Sequence, residues 1–150
     1  MAFSAPSLKG RALRLLSQRE HSRAELERKL ARYEEEPGTL ARALDELVAK
    51  DFISETRVVQ SVLHQRATRL GASRVRQELQ AKGIAADAVA EAVASLQATE
   101  VERARALWQR RFEAPPADAR ERARQTRFLM ARGFTGATVA RVLRSGMHDE

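Results

Sequence analysis

A chain of 150 residues that is 43% apolar and 31% charged can fill a packed core and is too charged to be membrane-embedded, and no apolar run approaches the roughly 20 residues that span a bilayer. It has no cysteine, which excludes disulfides, thiolate metal sites and cysteine nucleophiles and suits a reducing cytoplasm. The net charge of +7, carried by 23 Arg and 4 Lys, divides as +2, 0 and +5 over successive fifty-residue segments, so an acidic partner such as nucleic acid or an acidic protein surface is expected.

The start, Met1-Ala-Phe-Ser-Ala-Pro6, lacks a charged region followed by an apolar one, so no signal peptide is expected. Thereafter the apolar residues recur at helical spacing and no stretch alternates like a strand. The first helix runs near Leu8–Gln18 with Ala12, Leu13, Leu15 and Leu16. The second opens at Ser22-Arg-Ala-Glu25, a capping box in which serine accepts from an early amide and glutamate reaches back. Glu34-Glu-Glu-Pro37-Gly38 breaks the chain. Thr39 is expected to cap a helix with Leu40, Leu44 and Leu47 inward. After the Phe52-Ile53-Ser54 junction, Val59, Val62, Leu63, Ala67 and Leu70 line the next helix, which Gly71 ends. A short helix reaches Lys82, and Gly83 fits a left-handed C-cap. Ala86–Leu96 follows. Thr99-Glu-Val-Glu102 reads as a second capping box, opening a helix with Val101, Ala104, Trp108 and Phe112 on one side. Ala114-Pro115-Pro116-Ala117 is a linker, since consecutive prolines cannot continue a helix. The last helices run near Asp118–Arg132 and Gly136–Arg144 with Gly133 between them, and Met147–Glu150 is expected to fray.

One pattern occurs three times. Its middle copy contains Gly71, Val75, Leu79, Lys82-Gly83-Ile84, Val89, Val93 and Leu96. Ser22, Leu26, Leu30, Leu40, Leu44 and Leu47 precede it, and Leu129, Arg132-Gly133-Phe134, Val139 and Leu143 follow. A period near fifty residues implies stacked supersecondary units. The fold class is therefore all-α: three tandem three-helix repeats, about nine helices, over 1–52, 53–98 and 99–150, forming an elongated, curved, solenoid-like array. Small-angle scattering is expected to give a radius of gyration well above the roughly 15 Å of a compact domain of this length. A compact profile, or β signal in circular dichroism, would overturn this.

The site candidates are cationic. They are Arg66, Arg69, Arg74 and Arg76; Lys82 and Arg132 before the glycine turns; Arg110 and Arg111; and Arg120, Arg124 and Arg127, which share a helical face by spacing. Each is a candidate for contact with a polyanion, solvated surface or helix-end compensation being the alternative. Trp108 belongs with the core, and Tyr33 closes the stripe of Leu26 and Leu30. His21, His64 and His148 form no metal-ligand pair. No phosphate loop, nucleophile elbow or zinc-protease motif occurs, so neither an enzyme nor a cofactor is expected.

Four stretches together resemble the bacterial RecX regulators of the RecA recombinase. These are Ala12–Leu30 with Arg19-Glu20-His21-Ser22 and Glu25-Leu26; the region of Arg57; Gly71–Ile84 with Arg74-Val75-Arg76-Gln77-Glu78-Leu79; and Arg127-Phe128-Leu129 with Arg132-Gly133-Phe134. Where the family often has paired aspartates, Arg and Phe, this chain has Ser54-Glu55-Thr56-Arg57-Val58. The resemblance implies three three-helix repeats and a cytoplasmic, monomeric protein that lodges along the RecA–DNA filament. It further implies restraint of ATP hydrolysis, strand exchange and the co-protease function of the SOS response, with single-stranded or duplex DNA as a secondary contact and no membrane. Each repeat also ends in a pair like a helix-turn-helix, so a direct DNA-binding protein is the alternative.

Overall fold

The computed structural model describes residues 5–145. The expectations for the first residues, for His148 and for Met147–Glu150 fall outside them. Among the described residues there are nine α-helices and no strand. They are α1 (Leu8–Gln18), α2 (Arg23–Leu30), α3 (Thr39–Ala49), α4 (Glu55–Arg66), α5 (Ala72–Ala81), α6 (Ala86–Gln97), α7 (Glu100–Arg111), α8 (Ala119–Ala131) and α9 (Gly136–Ser145). A turn of 3-10 helix, Ala31–Tyr33, follows α2.

The helices start where local chemistry satisfies their orphan amides. Ser7 and Asp118 cap α1 and α8, accepting from Gly10 N and Glu121 N, and Ser22 with Glu25 forms the capping box expected for α2. Two expected caps fail. Thr39 is the first residue of α3, not its cap; Gly38 occupies that position at φ 89° and the Glu34 carboxylate accepts from Leu40 N at 2.8 Å. Thr99 accepts no cap bond from α7, because its hydroxyl takes the Arg103 guanidinium at 3.1 Å and its φ of −117° and ψ of 10° turn it away.

By packing, the described chain divides into two compact units. The first comprises residues up to Ser61 together with Ala81–Ile84. Its core is Ala12, Leu26, Leu30, Leu40, Leu44, Leu47 and Ile53, with α1, α2 and α3 packed pairwise. Leu26, Leu44 and Leu47 are wholly buried, so truncating any one to alanine costs about 2–5 kcal/mol. Arg57 clamps the same unit: Nε donates to Glu20 at 2.9 Å, and the two terminal nitrogens reach the Asp51 carboxylate and carbonyl at 3.0 and 2.6 Å. Val58, in place of the family's aromatic, is buried. The inward stripe of α4 therefore runs through Val58 and Val62; Val59 and Leu63 are only half-buried, and α4 ends at Arg66 instead of continuing to Leu70.

The second unit comprises Val62–Gln80 and residues from Ala85 on. Ala104, Leu107, Trp108, Phe112, Leu129, Phe134, Val139, Val142 and Leu143 form its main cluster, around α7, α8 and α9. Trp108 is in the core as expected. Its indole N–H donates to Gln125 Oε1 at 2.8 Å, and the Gln125 amide donates to Ala114 O and Glu121, so the buried polar pair is satisfied and the proline linker is held. Arg103 donates to the carbonyls of Ala67, Leu70 and Leu96 at 2.8–2.9 Å, closing two chain ends at once.

Candidate functional site

The two glycine turns are docking elements. Gly133, at φ 92°, lets the chain leave α8 and lays its backbone against the start of α5. There Gly71 N donates to Arg132 O at 2.7 Å, Ser73 Oγ to Gly133 O at 2.6 Å and the Arg74 guanidinium to Ala131 O at 2.9 Å. Ala131 O is the last carbonyl of α8, and Arg132 O and Gly133 O belong to the turn just past it; none has a partner within the helix. A Cβ on Gly71 would stand 2.4 Å from Gly133 O, so the approach requires glycine. In the first unit the Gly83 turn, at φ 73°, uses the same device. Lys82 O accepts from Ser22 Oγ at 2.5 Å, Ala81 O accepts from Arg28 at 2.9 Å, and a Cβ on Gly83 would lie 2.5 Å from the Ala24 Cβ.

Docking the Gly133 turn on α5 carries Arg132 beside residues almost sixty positions earlier. Arg66, Arg69, Arg74 and Arg132 line one open depression of about 540 Å³, with Gln77 and the carboxylate of Glu78. Arg66 pairs with Glu78 at 3.2 Å; the other three guanidiniums outnumber that acid. The α8 face adjoins an aromatic pair. Phe112 and Phe128 meet edge-to-face at 5.4 Å, and Arg111, Arg124 and Arg132 each sit 5.0–5.3 Å from one of the two ring centroids. Arg124 also pairs with Glu121 at 3.1 Å. Arg120, Arg127 and Arg110 are exposed, as is Arg76, which does not line the depression. Lys82 lies elsewhere, in the first unit, its ammonium 3.4 Å from Glu25 and its side chain only 18% exposed.

Glu25 itself is an organising acid that its capping role alone did not reveal. Burial pushes its pKa upward, but the Arg19 hydrogen bond at 2.7 Å, the Ser22 amide and the Lys82 charge outweigh that and hold it down to about 2. Glu100 is similarly diverted: it is buried and accepts from Ala72 N at 3.0 Å, anchoring the start of α5. No group of acids and histidines among the described residues could hold a metal ion, and no helix there is long and apolar enough to cross a membrane.

The described chain is thus a small all-helical protein of helix pairs docked through glycine turns, with an arginine-rich surface. Three family models match it in order, described as the first, second and third three-helix domains of RecX, over residues 9–47, 54–93 and 98–143. The chain belongs to the RecX family of regulatory proteins and contains its three three-helix domains. It is 56% identical to the regulatory protein RecX of Leptothrix cholodnii, over 99% of this chain and 96% of that one. With the regulatory protein RecX of Ralstonia nicotianae the identity is 51%, over 91% and 86%. Its fold is that of the crystal structure of RecX from Lactobacillus salivarius, with a TM-score of 0.78 at 20% identity over 94% of this chain and 95% of that one.

Proposed function

We propose that this chain is a non-enzymatic modulator, chiefly an inhibitor, of the RecA recombinase, binding RecA–DNA filaments and restraining ATPase, strand exchange and co-protease activity in DNA repair and the SOS response. The observation that carries the reading is membership of a regulatory family through all three of its three-helix domains. The arginine surface supports it. A filament is a long polyanion coated with protein, and many modest contacts along such a target accumulate affinity without one deep pocket. Repeat boundaries at 52/53 and 98/99 complete the proposal.

The helix-turn-helix alternative receives less support. A reading helix needs long polar side chains in its first turns to reach base edges. Here α6 opens Ala86-Asp87-Ala88 and α9 opens Gly136-Ala137-Thr138. Neither supplies an arginine, lysine, asparagine or glutamine there; of the three second helices α3 alone, opening Thr39-Leu40-Ala41-Arg42, places an exposed arginine in its first turn.

Adding the protein to RecA on single-stranded DNA is expected to slow ATP turnover at or below equimolar amounts. No effect with the cognate recombinase would defeat the proposal. The electrostatic part is tested with the Arg120→Ala/Arg124→Ala/Arg127→Ala variant. Each arginine lost from a phosphate contact lowers the salt slope of filament binding by about one unit. The exposed Arg124–Glu121 pair is worth about 0.2–0.5 kcal/mol and the Arg124 contact with the Phe112 ring about 0.5–1 kcal/mol, so the melting point should fall only by a few degrees. An unchanged slope with a lower melting point would show the face to be structural.

A further inference from the structure

A second cationic site lies in the first unit, outside every cluster visible along the sequence. The facing parts of α1, α2 and the 3-10 turn enclose a groove of about 570 Å³. Arg11, Arg14, Lys29 and Arg32 line it, and no carboxylate does. None of the four pairs with a carboxylate among the described residues, although the Lys29 ammonium donates to the His21 ring at 3.1 Å. Arg14, Lys29 and Arg32 are exposed. The arginine depression of the second unit differs in this respect, because Arg66 there is already matched to Glu78. Four unmatched cations repel one another, so an anion between them relieves strain that solvent only screens.

The rest of the lining is Pro6, Gly10, Leu15, Gln18, Leu30 and the Tyr33 ring; Pro6 is exposed, Leu15 and Tyr33 are half-buried, and Leu30 belongs to the core beneath. This lining is not arranged as a base-stacking platform. Arg11 lies 3.8 Å and Arg32 4.7 Å from the centroid of that ring, so the aromatic surface is already covered by guanidinium. Acids do not crowd the groove; Glu35 and Glu36 line a separate depression on the Pro6–Thr39 side of Tyr33.

We infer that this groove docks an acidic segment of a partner protein, with carboxylates on Arg11, Arg14, Lys29 and Arg32 and an aliphatic side chain against Pro6 and Leu15. Guanidinium–carboxylate pairing fixes the register, and the aliphatic contact selects a peptide over bare anionic polymer. The site does not depend on the RecA reading and can be tested without a filament.

The probe is a fluorescein-labelled dodecapeptide of four Glu-Glu-Leu repeats, titrated into the full chain at about 0.15 M salt, where distant charges are screened. Arg14→Glu/Arg32→Glu should weaken binding at least about tenfold, against less than about threefold for Arg120→Glu/Arg127→Glu, which changes net charge equally. An all-glutamate dodecapeptide should bind several-fold more weakly, and amide shifts in the labelled protein should centre on Gly10, Gln18 and Tyr33. The milder Arg14→Gln/Arg32→Gln pair, which spares the Lys29 contact with His21, repeats the test if the reversal variant loses its helical signal. Equal weakening by both reversal pairs, shifts centred elsewhere, or no binding would overturn the inference. So would groove binding by the all-glutamate peptide or by a twelve-residue oligothymidylate as tight as that of the leucine-containing one.

Discussion

Replacing Gly71 by alanine is expected to destabilise the chain by about 3 kcal/mol, the upper part of the range for overpacking a tight contact. The added Cβ would stand 2.4 Å from Gly133 O, 2.5 Å from its carbonyl carbon and 2.6 Å from Phe134 N. All three are backbone atoms, so no rotamer change relieves the clash. The start of α5 and the turn after α8 must separate instead. That separation loses Gly71 N to Arg132 O, Ser73 Oγ to Gly133 O and Arg74 to Ala131 O together. Gly136→Ala is the control, because nothing lies within 4 Å of its Cβ position and alanine favours helix. Urea denaturation should therefore give a large loss for the first and none for the second. Equal stability of the two variants would disprove the docking. The same change also parts Arg74 from Arg132, so in the surviving folded fraction the salt slope of filament binding should fall.

Helix content and the repeat were legible because each depends on local chemistry. Gly83 and Gly133 stand where α5 and α8 end because only a residue without Cβ turns there at low cost, and both have positive φ. What each turn touches was not legible, since its partners lie about fifty to sixty residues away. The failed capping box at Thr99 is instructive. Its sequence pattern is complete, but Arg103 takes the threonine hydroxyl and Ala72 N takes the carboxylate of Glu100, the buried acid beside it. A competing side chain one turn into the same helix overrode the capping motif. In α4 the adjacent pairs Val58–Val59 and Val62–Leu63 allow two phases, and packing chose Val58 and Val62.

The candidate cations divide by the same logic. Arg74 and Arg76 are neighbours in sequence but lie two positions apart on α5, which are not on one helical face. Arg74 joins Arg132 in the depression and Arg76 does not. The groove around Arg11, Arg14, Lys29 and Arg32 escaped notice because its charges come from separate elements. The first fifty residues sum to only +2, since Glu34, Glu35, Glu36, Asp45 and Glu46 offset them in number but do not line the groove.

Acid should destabilise the first unit in two steps, and Glu25→Gln should make the second shallower. His21 is buried; its Nδ1–H donates to Arg19 O and its Nε2 accepts from the Lys29 ammonium, both at 3.1 Å. Burial holds its pKa below the ordinary 6.5; the Arg19 carbonyl bond opposes this, while the Arg19 and Lys29 charges reinforce it. The unfolded chain then binds that proton more readily, so stability falls as pH drops below 6.5. Glu25 follows. Its pKa falls from 4.5 to about 2 on folding, so its contribution is complete above 4.5 and is lost as pH falls towards 2. At about 1.4 kcal/mol per unit that shift corresponds to about 3.5 kcal/mol. Arg19, its nearest partner, is 43% exposed, and solvent screening of that pair reduces the contribution to about 2 kcal/mol. Glu25→Gln preserves shape but removes the charge facing Arg19 and Lys82. At neutral pH it should cost about 2 kcal/mol, keep the decline attributed to His21, and decline less than the parent between 4.5 and 2, where the exposed Glu46, held down by Lys9 and Lys50, still titrates. Denaturation curves of both proteins should converge near the bottom of that range. If the difference at pH 2 equals that at pH 7, Glu25 acts through packing, and the ion-pair account of the α2 start fails. Lys82→Ala should reproduce part of the same loss, which would mark Lys82 as a structural cation of this unit; a lower salt slope of filament binding at unchanged stability would instead assign it to the partner surface.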